Sequence, residues 1–186
     1  RFDLKVMTAP AAGNEAWMLK IESGGAAGAV EINVNTSNEG ANPSDAWQTF
    51  TFNLIDLFDA GTLDPSDIDV IMLFPAWGSG ADSVFRVDNM EIIDGSAGPS
   101  APTTPTTPDN GGEPSEPTTP TTPEGPSDTA SLAPLFTDSA RTGWIVWDCC
   151  GGSTPAIVAD TERGQVAEFT VVASGETVQG FTTRAD

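Results

Sequence analysis

The sequence contains no histidine, no tyrosine and only two cysteines among its 186 residues. Without histidine, the chain lacks the side chain most often used as a general base near neutral pH and as a ligand for transition metals. A bound metal would then be a hard cation held by oxygen atoms, Ca²⁺ before Zn²⁺. No apolar run approaches the roughly 20 residues that a membrane-spanning helix needs, so we expect no membrane insertion.

Basic residues are also scarce, with Lys+Arg 7 against Asp+Glu 27 and a formal net charge of −20. A chain this acidic is repelled by nucleic acid and by anionic membrane surfaces, which excludes both as partners. Patterns typical of catalysis are missing too: the sequence shows no nucleophile–base set, no phosphate-binding loop and no metal triad. Accidental pairs of carboxylates are certain among so many acids, so they do not indicate glycoside hydrolysis. We therefore expect that the chain is not an enzyme.

The middle of the chain has an unusual proline repeat. Between residues 99 and 126 proline recurs at every third position, and only Gly111 interrupts the frame. Polyproline II has three residues per turn, so this spacing places the prolines on one face of an extended rod of roughly 80–90 Å. Such a segment cannot build a hydrophobic core. We therefore assign residues 96–127 to an extended linker.

The linker is rich in threonine, with two copies of Thr-Thr-Pro-Thr-Thr-Pro at 103–108 and 118–123. Stalks rich in Thr and Pro are typical carriers of O-linked glycans, which predicts an extracellular protein, secreted or on the cell surface. The alternative is an undecorated flexible linker between the modules of an enzyme. The predicted glycosylation sites are Thr103, Thr104, Thr106, Thr107, Thr118, Thr119, Thr121 and Thr122.

Both flanks of the linker predict β-structure. Phe2, Leu4 and Val6 alternate with polar residues, which is typical of a half-buried strand. Similar patterns predict strands at 16–22, 30–34, 48–54, 67–74, 84–92, 144–147, 165–172 and 177–183. Leu54–Phe58 is short enough for one helical turn. Together the flanks have the size of one ordinary sandwich domain, so we expect an all-β sandwich.

Several motifs in the flanks carry a family resemblance. They resemble the galactose-binding-like, carbohydrate-binding-module-type domain at the C-terminus of bacterial exo-β-glucanases of glycoside hydrolase family 3. The opening half of that domain is similar to Trp144-Ile-Val-Trp147-Asp-Cys-Cys-Gly-Gly-Ser153 and Arg163-Gly-Gln-Val-Ala-Glu168-Phe. The closing half is similar to Arg1-Phe-Asp-Leu-Lys-Val6, Trp17-Met-Leu-Lys20, Ala46-Trp-Gln-Thr-Phe-Thr-Phe52, Phe74-Pro-Ala-Trp-Gly78 and Phe85-Arg-Val-Asp-Asn-Met90. The resemblance implies a jelly-roll or galactose-binding-like sandwich in a bacterial protein.

The two halves occur in reversed order, with the closing half first. Residues 1–95 are then the C-terminal half of one sandwich domain, and residues 128–186 are the N-terminal half of the next. A half-sandwich exposes sheet edges and an apolar face, so each half needs a partner half. We expect adjacent repeats or further copies of the protein to complete each half, which builds a head-to-tail filament.

Two other interpretations stay open. In one, the linker loops back and both halves of one chain form a single permuted domain, although a stiff polyproline rod disfavours this. In the other, the chain is a carbohydrate-binding module of a secreted enzyme that degrades polysaccharides. Trp77, Trp144 and Trp147 are the candidate sugar contacts for that function, since tryptophan rings stack on sugar faces, although large aromatic residues also dominate sandwich cores.

Two further sites are predicted. Asp88 resembles the aspartate that helps to hold a structural Ca²⁺ in many jelly-roll modules, and Asp160 and Glu162 would supply oxygen ligands from the other half. Cys149 and Cys150 are adjacent, so a disulfide between them would be strained, because neighbouring Cα atoms lie about 3.8 Å apart. We favour this disulfide as a rigid turn in an oxidising setting; the alternative is a pair of small buried thiols.

Overall fold

The computed structural model describes residues 1–10, 16–25, 28–64, 66–76, 78–93, 131–149, 155–172 and 178–184. The linker and its predicted glycosylation sites lie outside the described residues, as do Trp77 and Cys150. In the part of the chain that is described, no helix is both long and apolar enough to cross a membrane.

Nearly all regular structure in the described residues is β-structure. The strands of the first segment, which we define as residues 1–93, are β1 (Phe2–Thr8), β2 (Trp17–Ser23), β3 (Gly28–Asn33), β4 (Gln48–Phe50), β5 (Ile68–Pro75), β6 (Val84–Asp88) and β7 (Met90–Ile93). Those of the second segment, residues 131–184, are β8 (Ser131–Thr137), β9 (Ser139–Ala140), β10 (Ile145–Asp148), β11 (Ala156–Asp160), β12 (Gly164–Thr170) and β13 (Gln179–Thr182). One α-helix, α1 (Leu54–Ala60), and a 3₁₀ turn (Val34–Thr36) complete the described elements.

These strands form two five-stranded sheets and a smaller three-stranded one. The first sheet has the order β11-β12-β6-β1-β4, and the second has the order β10-β13-β5-β2-β3. The third consists of β7, β8 and β9. All strand pairs are antiparallel. The expectation of an all-β sandwich is confirmed.

The two large sheets face each other across one main core. Alternation in β1 turns Phe2, Leu4 and Val6 inward, and each is at most 7% exposed. Trp17 of the second sheet packs edge-on against Phe85 of the first, with 5.0 Å between their ring centroids. Contact between these rings is direct evidence that side chains of the two inner faces interdigitate.

A single residue separates two strands that the sequence predicts as one. Asn89 lies between β6 and β7 with a left-handed φ of 47°, a conformation that asparagine tolerates better than most residues. Its side-chain amide donates a hydrogen bond to the Asp3 carboxylate. The chain thereby leaves the first large sheet and enters the three-stranded sheet.

Candidate functional site: the seam between the segments

Strands of both segments share every sheet. The first sheet joins them where β12 pairs with β6, the second where β13 pairs with β5, and the third where β7 pairs with β8. We call these three strand junctions together the seam. Neither segment forms a complete sandwich from its own strands, because each sheet contains strands from both.

The apolar part of the seam is built from three phenylalanines. Phe85 of β6 stacks on Phe169 of β12 with 5.1 Å between ring centroids. Phe169 in turn packs edge-on against Phe181 of β13, at 6.0 Å. All three rings are fully buried. The second segment therefore contributes Phe169 and Phe181 to this stack, and Phe136 is a further ring of the second segment in the main core.

Charged side chains cross the seam in both directions. Six ion-pair contacts between described residues join one segment to the other. The first segment supplies Lys5 and Arg86 to carboxylates of the second, and the second supplies Arg163 and Arg184 to carboxylates of the first. Four of the seven basic residues in the sequence thus lie in seam contacts.

Arg86 makes the most buried of the ion pairs across the seam. Its Nη1 lies 2.7 Å from a carboxylate oxygen of Asp160, and its Nε lies 2.8 Å from one of Glu168. Burial disfavours the charge of Arg86, but the two carboxylates outweigh it and raise the pKa of Arg86 above its usual value. Burial likewise disfavours the Asp160 carboxylate, yet hydrogen bonds from the Glu162 amide and from Arg86 lower its pKa.

Arg184 makes the matching contact on the second sheet. Its guanidinium donates to both carboxylate oxygens of Asp69, at 2.8 and 2.9 Å, and reaches Glu22 at 3.0 Å. Two parallel donors from one guanidinium fix geometry as well as charge. Hydrogen bonds from Arg184 hold the pKa of Asp69 below its usual range.

A third contact brings one cation to a pair of buried carboxylates of the first segment. Asp3 and Asp88 lie opposite each other on β1 and β6 and are 5% and 3% exposed. Burial raises the pKa of Asp88. Arg163, which follows β11, donates to Asp3 at 2.8 Å, and its guanidinium lies 5.3 Å from the ring centroid of Trp47. Docking of the second segment therefore brings a cation to a buried acidic pair.

Two of the three residues predicted to hold calcium, Asp160 and Glu162, are engaged with basic side chains. Asp88 lies on β6, Asp160 ends β11 beside Arg86, and Glu162 lies 3.2 Å from Lys5. Within the described ranges no group of three or more His, Cys, Asp or Glu is arranged to hold a metal ion. The calcium site stays a prediction.

The two described candidate tryptophans lie in different environments. Trp144 is half-buried and packs against the main core. Trp147 is half-buried on the other face of the second sheet, where it packs with Met18 and Cys149 against Met72 and Phe74. Trp147 thus belongs to an apolar patch outside the main core. Of the two tryptophans, it is better placed to contact a ligand.

The described cysteine is oxidised. Cys149 is disulfide-bonded, and its backbone amide donates to the Val178 carbonyl at 2.9 Å. Because Cys150 is outside the described residues, the bond between the two stays a prediction.

A cavity lies at one end of the core. Its volume, open solvent included, is about 530 Å³, and its lining is mainly apolar. The ion pair between Arg1 and Glu91, 2.6 Å long, supplies its charged lining. Leu135 is the residue of the second segment that contributes to it. The cavity therefore belongs mostly to the first segment and contains no seam ion pair.

The seam ion pairs were not foreseen from the sequence, since their partners lie far apart in the chain. Arg163 and Asp3 are 160 residues apart, and Arg184 and Glu22 are 162 apart. The available signal was the scarcity of basic residues, which makes each one a candidate partner for a buried carboxylate. Comparison with protein-family models, curated proteins and solved structures finds no significant match to this chain.

Proposed function

We propose that this protein is a non-catalytic extracellular structural protein whose sandwiches are completed between successive copies. The second segment of one copy docks on the first segment of the next, and repetition gives a head-to-tail, glycosylated filament. The observation that carries this proposal is the seam itself, which the structure forms between the two segments of a single chain and which the proposal places between successive copies. Both large sheets and the smaller sheet need strands from both segments, so a segment without its partner leaves sheet edges and buried carboxylates uncovered.

The chemistry of the seam is that of a specific interface. It combines strand pairing, buried aromatic rings and ion pairs whose charges are supplied reciprocally by the two segments. Strand addition of this kind gives affinity through main-chain hydrogen bonds and specificity through side-chain contacts. A surface on one segment that fits a different surface on the other is heterologous, and heterologous contacts repeated without closure generate filaments.

The structure pairs the two segments within one chain; what favours pairing between copies is the sequence of the linker. The polyproline II rod that the proline spacing predicts, roughly 80–90 Å long, would resist being folded back on itself. Its threonines would carry the glycans and face solvent along the rod. The resemblance to galactose-binding-like domains supports the same fold for each completed sandwich, with each sandwich divided between two repeats.

The full chain at high concentration is expected to form filaments with a regular spacing of globular domains. Electron microscopy of negatively stained material and sedimentation velocity both measure this. Dispersed globular monomers at every concentration tested would contradict the proposal.

A carbohydrate-binding module is the second candidate function, and the patch around Trp147 favours it. An aromatic ring outside the core of a sandwich offers a stacking surface for a sugar ring. In this function the module belongs to a secreted polysaccharide-degrading glycoside hydrolase.

If the patch binds sugar, Trp147→Ala should abolish the retardation of the protein in gels that contain soluble β-glucan. The half-buried, core-packed Trp144 offers the control, because Trp144→Ala removes a ring of the same size that packs on the main core. Equal mobility of wild-type protein in gels with and without glucan would rule out this function.

A further inference from the structure

The chain leaves the first segment and enters the second at the same place. β7 ends at Ile93 and β8 begins at Ser131, and these two residues are paired across the antiparallel junction. The linker connects them in sequence. Both attachment points of the linker on a completed sandwich are therefore a single strand-to-strand distance apart, about 5 Å.

The β7–β8 junction is held firmly against the rest of the sandwich. The backbone amide of Glu91 donates to the Arg1 carbonyl at 2.9 Å, and the Arg1 side chain binds the Glu91 carboxylate. On the other strand Phe136 is fully buried and packs on Phe181, with 5.4 Å between ring centroids. β7 is thus tied to the start of β1 through Glu91, and β8 is tied to β13 through Phe136.

From this placement, and resting on the filament proposed above, we infer that each sandwich lies beside the filament axis instead of on it. The linker of one copy arrives at Ser131, and the linker of the next copy departs from Ile93. These residues are neighbours, so the line of the filament passes from linker to linker through the β7–β8 junction. The result is the same whether successive half-domains are joined covalently or by contact between chains.

This arrangement has two physical consequences. The axial repeat is set by the linker, with little contribution from the length of the sandwich. Tension along the filament acts on β7 and β8 at their common end, so it separates the pair one hydrogen bond after another instead of shearing all of them together. The seam contacts of the two large sheets then hold the copies together when the junction opens.

A cysteine pair across the junction tests the inference. Paired residues in antiparallel strands have Cα atoms about 4.5–5.5 Å apart, within the range that a disulfide bridges. We expect the double variant Ile93→Cys/Ser131→Cys, assembled and then mildly oxidised, to give a covalent ladder of multimers on non-reducing gels. Ile93→Cys alone, treated in the same way, is the control and should give no ladder.

The outcomes separate the inference from the proposed filament. A cross-link confined to single chains would contradict pairing between copies, while the shared attachment point would stand. Filaments without any cross-link would contradict the shared attachment point and leave the filament intact. If the double variant fails to fold, electron cryomicroscopy of wild-type filaments tests the inference instead. Sandwiches that lie to one side of a continuous density of linkers support it. Sandwiches whose two linkers leave from opposite ends overturn it.

Discussion

Arg163→Asp and Asp3→Arg should each lose filament assembly, and an equimolar mixture of the two variants should recover it. Arg163 of the second segment donates to Asp3 of the first. Arg163→Asp places a third carboxylate against the buried Asp3 and Asp88. Breaking a buried ion pair costs about 3–5 kcal/mol. Because the Arg163 side chain is 31% exposed, we expect a loss of about 2–3 kcal/mol, or roughly 30- to 150-fold weaker docking.

Asp3→Arg should also weaken packing within the first segment, because Asp3 is 5% exposed and accepts hydrogen bonds from Thr49 and Asn89. It removes the partner of Arg163 and sets two guanidinium groups against each other, but the introduced arginine also lies beside Asp88. In the mixture, the first segment of the Asp3→Arg variant pairs with the second segment of the Arg163→Asp variant, so the two charges are exchanged but still opposite. The first segment of the Arg163→Asp variant pairs with the second segment of the Asp3→Arg variant, and this interface has the wild-type residue at both positions. Alternating copies of the two variants therefore assemble.

Recovery by mixing is possible only if the segments pair between chains. Within one chain neither variant contains a matched pair, so a protein that pairs its own segments stays impaired in the mixture. Arg141→Asp is the control, because it makes the same charge change at an exposed position and should assemble normally. Sedimentation velocity of each variant and of the mixture measures the result, and impaired sedimentation of the mixture would contradict pairing between copies.

Phe169→Ala is expected to be the most destabilising single substitution in the seam. The fully buried ring touches Phe85 of the first segment and Phe181 of its own. Truncation of a buried phenylalanine typically costs about 3–5 kcal/mol through lost burial and the cavity left behind. The measured quantity is the urea midpoint of unfolding, which should fall by about 1 M or more at about 1–3 kcal/mol per M.

Ile157→Ala provides the matched control for Phe169→Ala. Ile157 lies on β11, the strand next to β12, but its side chain is 48% exposed. Its truncation should therefore cost below about 1 kcal/mol. Equal losses for both variants would show that the aromatic stack does not hold the seam.

Side-chain alternation predicted much of the fold. The strands expected at 16–22 and 67–74 correspond to β2 and β5, with one-residue shifts at their ends, and the helical turn from Leu54 is the start of α1. These segments have strong patterns because one or both of their faces are buried. The strand expected at 48–54 ends at Phe50, since Asn53 accepts a hydrogen bond from the Ile55 amide and caps α1.

Other elements had no comparable signal. β8 was missed because Pro134 interrupts its pattern, and Pro is uncommon within strands. β11 was missed because it is a short edge strand with an exposed, apolar sequence. The break at Asn89 depends on a hydrogen bond to Asp3 that is made only in the folded protein. The seam depends on which segments meet, and no local pattern encodes that.

A traced electron cryomicroscopy map of the assembled filament, at a resolution that separates strands and shows large side chains, would reveal directly whether the two segments pair between copies. We expect Phe85 and Phe169 in one sandwich to come from different copies, joined through linkers to neighbouring sandwiches. Continuous density that connects residue 93 to residue 131 within the same sandwich would contradict it.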